Sequence, residues 1–246
     1  MHWLENYWYR LSPLHLVLWP LSVLFGAVAA LRRFCYRRGI CKSSAPGVPV
    51  IIVGNINVGG TGKTPCVIWL VRRLLDHGYK PGVVTRGYGG SAHEPQRAAT
   101  ASDPAAIGDE AVLLARRCDC PVWVARSRVA AAQALRTAHP ECNVIISDDG
   151  LQHYALRRNV EIVVLDGERG CGNGMLLPAG PLRESLRRLD SVDAIVINGG
   201  ALFPPEMLPS VVPTFDMRLA GAAFYSLHTA GHAVPATYFA KMDVHA

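Results

Sequence analysis

The sequence predicts an α/β fold built on a mostly parallel sheet with helices on both faces. Three observations carry that expectation. Short runs that are apolar on both faces recur along the chain, helical patterns lie between several of them, and a Gly-rich phosphate-binding pattern joins one run to the helix after it.

The first element stands apart from the rest. Leu11 to Tyr36 reads LSPLHLVLWPLSVLFGAVAALRRFCY, and its least polar part, Leu14 to Leu31, approaches the roughly twenty residues that cross a bilayer. His15, Pro20, Ser22 and Gly26 interrupt it, while Trp3, Tyr7, Trp8, Tyr9 and Trp19 supply the aromatics favoured at a water–lipid boundary. Arg32, Arg33, Arg37, Arg38 and Lys42 follow the apolar run, whereas a signal peptide carries its charge in front, so cleavage and export are not expected. With a formal net charge of +6 concentrated there, anionic lipid head groups are expected as partner before nucleic acid. Three placements follow in order of preference: an interfacial or shallowly inserted helix, a spanning helix, and a helix packed on the domain behind it. Residues 1–42 are therefore expected to form an N-terminal membrane-associated segment and residues 43–246 the α/β domain. The composition agrees, since half of the residues are hydrophobic and 18% are charged, against about 25% in an ordinary soluble domain.

Within the domain, VPVIIVGN is an apolar run bounded by Pro and Gly, and similar runs occur at 82–85, 122–125, 143–147, 160–166 and 193–198. Cys66 to Leu75 and Asp109 to Arg117 carry helical spacing between them. Strands that alternate with helices make βαβ units, hence the parallel sheet. After about Ala201 the pattern loosens and predicts no element. The cysteines, Cys35, Cys41, Cys66, Cys118, Cys120, Cys142 and Cys171, show no zinc spacing and read as free thiols.

The strongest chemical signal is Asn57-Val58-Gly59-Gly60-Thr61-Gly62-Lys63-Thr64, set between a strand and a helix. Glycines turn backbone N–H groups towards phosphate oxygens, Lys63 is placed to reach the β- and γ-phosphates, and the Thr64 hydroxyl to ligate Mg²⁺. Asn57 stands where the pattern wants Gly, and Asn is expected to tolerate a left-handed backbone there. The strand ending Ser147-Asp148-Asp149-Gly150 supplies the acids such a site needs at the carboxyl edge of the sheet. Further polar, Gly-rich loops follow other strands: Thr85 to Gly90, Gly108-Asp109-Glu110, Leu151-Gln152-His153, and Leu177 to Glu184. On these residues three classes stay open: a small-molecule kinase, a nucleotide-driven switch or partitioning ATPase, and a binding module without chemistry. Val58 stands where partitioning ATPases carry a Lys, and no N-K-x-D base-reading motif occurs.

Taken together, VGNINVGGTGKTP, TRGYGG, GDEAVLLA, DDGLQHYALRRNVEIVVLDG, GNGMLLPAGPLRE and VDAIVINGG resemble, in order and spacing, the signature of the tetraacyldisaccharide 4′-kinase family, the lipid A 4′-kinases of Gram-negative bacteria. The resemblance implies a P-loop NTPase-like fold. It also implies transfer of the ATP γ-phosphate to the 4′-hydroxyl of a tetraacylated glucosamine disaccharide 1-phosphate, forming lipid IVA, with Mg²⁺, at the cytoplasmic face of the inner membrane. By the same resemblance, residues 57 to 64 hold the nucleotide, and Thr64 and Asp148 hold the metal. Asp109 is the base, acting with Lys63 and Asp149, and Arg128, His153, Arg183 and Glu184 meet the glycolipid. Family members continue past the segment matching FAKMDVHA into a Gly-Ile-x-x-Pro-x-Arg-Phe-Phe stretch, with a His that partners the base, and a second lobe. The expectation is thus a truncated form that binds nucleotide with impaired turnover, and the alternative a membrane-associated P-loop ATPase or switch.

Overall fold

The computed structural model describes residues 7–8, 14–91, 94–199, 207–219, 223–225 and 233–235. Trp3, Tyr9, the start of the apolar segment at Leu11, Gly200 and FAKMDVHA lie outside them.

Helix α1 (Leu14–Arg37) precedes an eight-stranded sheet. The strands are β1 (Val50–Gly54), β2 (Pro81–Thr85), β3 (Gln96–Ala98), β4 (Val122–Val124), β5 (Val144–Asp148), β6 (Val160–Asp166), β7 (Ala194–Asn198) and β8 (Thr214–Met217). Their spatial order is β3-β4-β2-β5-β1-β6-β7-β8, and every pair is parallel except β3 with β4. Two short strands further on, β9 (Ala223–Tyr225) and β10 (Ala233–Pro235), pair antiparallel with each other.

The apolar runs form strands because both faces of the sheet are covered. Successive side chains point to opposite cores: Ile52, Val84 and Ile145 enter one, and Val53, Val83 and Ile146 the other. Each such side chain contributes roughly 1.5–3 kcal/mol on burial. Helix α2 (Lys63–Asp76), the one-turn α3 (Pro104–Ile107) and α4 (Asp109–Arg117) pack on the face of Val53 and Ile146 through Val67, Val71, Ile107 and Leu114. Helix α5 (Arg128–Ala138) packs on the other face through Ala131, Ala132 and Leu135. A Cβ at Gly82 would lie 2.7 Å from Leu135 Cδ1, so glycine lets α5 settle directly on β2.

Helix α2 starts at Lys63, before the expected Cys66, because the left-handed Gly62 (φ 88°) ends the preceding loop and the next residues already form the first turn. β3 and β8 were not anticipated. They are short edge strands, QRA and TFDM, with too few apolar residues to register as buried runs.

Helix α1 docks on the domain along one face. Ser22 Oγ donates to Leu176 O (2.9 Å) and accepts from Ala179 N (2.9 Å), while a Cβ at Gly26 would sit 2.6 Å from Leu176 Cδ1. Its interrupting small and polar residues are therefore its contact face. Val17, Leu24 and Leu31, spaced seven apart, form an outward apolar stripe, each more than half exposed. Among the described residues this is the one helix long and apolar enough to cross a membrane.

Candidate active site

The carboxyl ends of β1 and β5 lie side by side, with Val53 in register with Asp148, so the loop after β1 and the acid pair after β5 share one rim of the sheet. A Cβ on Gly54 would meet Leu151 Cβ at 2.6 Å, which shows how closely the two turns approach. In the loop, Gly59 (φ 108°) and Gly62 (φ 88°) hold the left-handed conformations.

Asn57 departs from expectation. Its backbone is not left-handed; it forms a bridge with Leu182, and its buried side chain donates from Nδ2 to Gly170 O (2.7 Å). Val58 N donates to Pro181 O (2.8 Å) and Arg183 N to Ile56 O (2.6 Å), so the 181–183 segment braces the loop. Asn serves here for its amide, where glycine would leave Gly170 O without this donor.

The two acids occupy different environments. Asp148 is 1% exposed and neither carboxylate oxygen has a hydrogen-bond partner. Burial, with the charges of Glu110 and Asp149, pushes its pKa up to about 7 against the pull of Lys63 and Arg128. Asp149 sits at φ 47°, the only left-handed non-glycine among the described residues, and this turns its side chain to the cations. Lys63 Nζ lies 3.6 Å from Oδ1 and Arg183 Nη1 lies 3.4 Å from Oδ2. Burial alone would raise its pKa, but Lys63, Arg183 and Arg128 outweigh it and hold the carboxyl below its ordinary range.

Arg128, 2% exposed, braces the pair from beneath: Nη2 donates to Asp148 O (3.0 Å) and Asp149 O (2.7 Å). Its Nη1 lies 2.6 Å from His153 Nε2, where the ring nitrogen accepts. Burial first, and then Arg128, push the His153 pKa down to about 3, so the imidazole is neutral.

Asn55 Oδ1, Asn57 Oδ1, Thr61 Oγ1 and both Asp148 oxygens are buried without hydrogen-bond partners, all in the loop and the strand end beside it. Buried polar atoms are rarely left so, and a group of oxygens beside a Gly-rich loop fits a hard cation and the phosphates that accompany it. Thr64, half-buried on the first turn of α2, adds a hydroxyl to the same rim.

Asp109 opens α4 on the neighbouring loop. A Cβ on Gly108 (φ 89°) would lie 2.5 Å from Tyr88 O, and one on Gly90 2.5 Å from Ala106 O. The TRGYGG and GDE loops are thus packed backbone to backbone, which fixes where α4 begins. The Asp109 side chain is exposed and has no ion pair among the described residues.

A cavity of about 540 Å³ opens beside the acid pair. Arg86, Arg128, Asp149, His153 and Arg183 line one part, Gln152, Tyr154 and Glu184 another, and Phe25, Val28, Ala29 and Arg32 of α1 form a third wall. Of the residues expected at the site, Asp149, Arg128, His153, Arg183 and Glu184 line the cavity, Lys63 and Asp148 adjoin it through Asp149, and Asp109 stands on the adjacent rim. The α1 wall was missed. Its apolar spacing was legible, but nothing in a sequence says that a helix faces a cavity. Arg86 and Gln152 lie in the polar loops of the sequence and Tyr154 directly after one, without a pattern to single them out.

A family model described as tetraacyldisaccharide-1-P 4′-kinase matches residues 14–245. A tetraacyldisaccharide 4′-kinase from Methylobacillus flagellatus is 53% identical over 220 residues, covering 89% of this chain and 65% of the relative. One from Chromobacterium violaceum is 50% identical over 246 residues, covering 99% of this chain and 71% of the relative. The crystal structure of LpxK from Aquifex aeolicus in complex with ATP superposes with a TM-score of 0.72 at 30% identity, over 82% of this chain and 64% of that one. The chain thus spans about two thirds of the length of the relatives it matches.

Proposed function

The chain belongs to the tetraacyldisaccharide-1-P 4′-kinase family, and from that premise we propose that it transfers the γ-phosphate of ATP to the 4′-hydroxyl of a tetraacylated glucosamine disaccharide 1-phosphate at a membrane surface. The carrying observation is the shape of the cavity: Asp149, paired with both the phosphate-loop lysine and Arg183, lies at one end with Arg183, and apolar residues of α1 form a wall. Few substrates other than an anionic glycolipid need both surfaces within one pocket.

In this reading the backbone N–H groups from Asn57 to Thr64 cradle the triphosphate, and Lys63 neutralises its outer phosphates. Thr64 and Asp148 would hold Mg²⁺, which supplies charge neutralisation on the phosphates. Asp149 keeps Lys63 and Arg183 aligned at the loop mouth until the nucleotide arrives. Asp109 takes the proton of the sugar hydroxyl as its oxygen bonds to the γ-phosphorus and ADP departs. Arg183 and Arg86 meet the lipid phosphate, and His153, kept neutral, serves as a hydrogen-bonding group for the sugar.

Residues 1–42 make up the membrane-associating segment and residues 43–246 the kinase domain. Helix α1 is held to the domain by its polar face and leaves the Val17–Leu24–Leu31 stripe free, which supports an interfacial placement over a spanning one. Arg37 and Arg38, exposed at its end, would meet acidic head groups at the cytoplasmic face of the inner membrane.

Incubation with γ-labelled ATP and the disaccharide 1-phosphate tests the proposal. Label is expected in the lipid fraction, and lost in Lys63→Ala and Asp109→Ala. Labelled free phosphate without labelled lipid would favour an ATPase or switch and overturn the kinase reading.

A further inference from the structure

Glu184 lines the cavity, yet its carboxylate is committed to neighbours: Oε1 accepts from Gln152 Nε2 (2.9 Å) and Oε2 from Tyr154 Oη (2.7 Å). Gln152 donates also to Asn55 O (3.1 Å), at the root of the phosphate loop. Behind Glu184 stands Arg188, 2% exposed, on the 3₁₀ turn Leu186–Ser191. Its guanidinium meets Glu184 Oε2 at 3.3 Å through Nε and Glu161 Oε1 on β6 through Nη2, and donates from Nη1 to Ser191 Oγ (2.9 Å). Arg33 of α1 donates to that same Ser191 Oγ (2.6 Å). Arg158 completes the cluster, 3.0 Å from Glu161 and stacked on Tyr154, whose ring also meets Tyr36 of α1 at 5.9 Å.

We propose that Arg188 is a positioning residue for the substrate cavity, locking the Glu184–Gln152–Tyr154 wall to the phosphate loop and, through Ser191 and Arg33, to helix α1. Two arginines and two glutamates placed largely out of water are a weak way to add stability, since apolar residues of similar volume commonly do as well. What the forked guanidinium does supply is direction. It hydrogen-bonds Glu161 and Ser191 and holds the Glu184 carboxylate at ion-pair distance, three groups from three elements, a geometry a lysine does not reproduce. The adjacent residue, Arg183, points to Asp149, so a shift of the 183–184 segment displaces both the glycolipid wall and the cation at the acid pair. A misplacement of about 1 Å is enough to cost on the order of a hundredfold in rate.

The inference rests on the kinase reading for its consequence, and on geometry for its premise, and the two are separable. In Arg188→Met, kcat/KM for the disaccharide 1-phosphate is expected to fall on the order of ten- to a hundredfold while KM for ATP rises by a smaller factor, with Arg188→Lys intermediate. Amide exchange should rise together in residues 29–37 and 151–156. Equal losses for both substrates would mark a merely structural role, and unchanged exchange in both segments would overturn the inference. Should Arg188→Met not fold, Ser191→Ala keeps both carboxylate contacts and cuts the tie to Arg33. Exchange should then rise in 29–37 alone, and its absence there would overturn the link to α1. If the parent chain labels no lipid, the kinase reading fails, and the exchange data still decide the positioning.

Discussion

Replacement of Asp148 by Asn should make the unliganded protein more stable at pH 8 while removing its metal-dependent nucleotide binding. Asp148 is 1% exposed with both oxygens unpartnered, and its pKa is pushed up to about 7 by burial and by the charges of Glu110 and Asp149, from an ordinary 3.8. The folded state therefore binds this proton more tightly than the unfolded chain does. Between about pH 4 and 7 the unfolded chain gives up the proton first, so stability falls as pH rises through that window. Above it, holding the charge in place costs up to about 4 kcal/mol. Asn removes the charge but buries an unpartnered amide, at about 1–3 kcal/mol, which leaves a net gain of about 1–3 kcal/mol. For a chain of this size that is roughly 2–12 °C in melting temperature. Thermal unfolding at pH 5 and pH 8, without divalent cation or nucleotide, reads it: the difference between variant and parent should appear at pH 8 and vanish or reverse at pH 5. A variant less stable than the parent at pH 8, or a difference independent of pH, would refute the reasoning.

Three further outcomes are expected. Asp109→Asn should lower lipid phosphorylation by about 10²–10⁴-fold with nucleotide affinity intact, measured by single-turnover transfer beside calorimetric titration. Gly108→Ala should destabilise by about 1–3 kcal/mol or more in urea unfolding, because its Cβ would meet Tyr88 O at 2.5 Å and its φ of 89° is strained for alanine. Val17→Glu, Leu24→Glu and Leu31→Glu together should abolish flotation with anionic vesicles while leaving the melting temperature near that of the parent, because all three side chains point outward; retained flotation would remove α1 from the membrane contact.

The central sheet was legible because each buried strand carries apolar residues on both faces, and α4 begins at Asp109 as its spacing predicted. The edges were not, since β3 and β8 gain their conformation from a neighbouring strand and present polar or exposed residues. The nearness of the Gly-rich loop to the acid pair was legible because each directly follows a buried parallel strand and such strands end on one rim of the sheet. The different environments of Asp148 and Asp149 were not, for they arise from a single left-handed residue and from cations distant in sequence. Arg128 shows the same limit. A basic residue reads as a ligand for anions, and only the fold reveals that its guanidinium is spent on two backbone carbonyls and a histidine. Helix α1 carries two features in one pattern, an outward apolar stripe and a cavity wall, and hydropathy exposes only the first.

Calorimetric titration of ATP into the parent chain, Lys63→Ala and Asp148→Asn, each with and without Mg²⁺, asks most directly whether loop and acids form one phosphate and metal site. The parent should bind with a clear Mg²⁺ dependence, Lys63→Ala should bind at least about tenfold more weakly, and Asp148→Asn should lose the metal dependence. Parent-like affinity in Lys63→Ala together with undiminished Mg²⁺ dependence in Asp148→Asn would contradict the account.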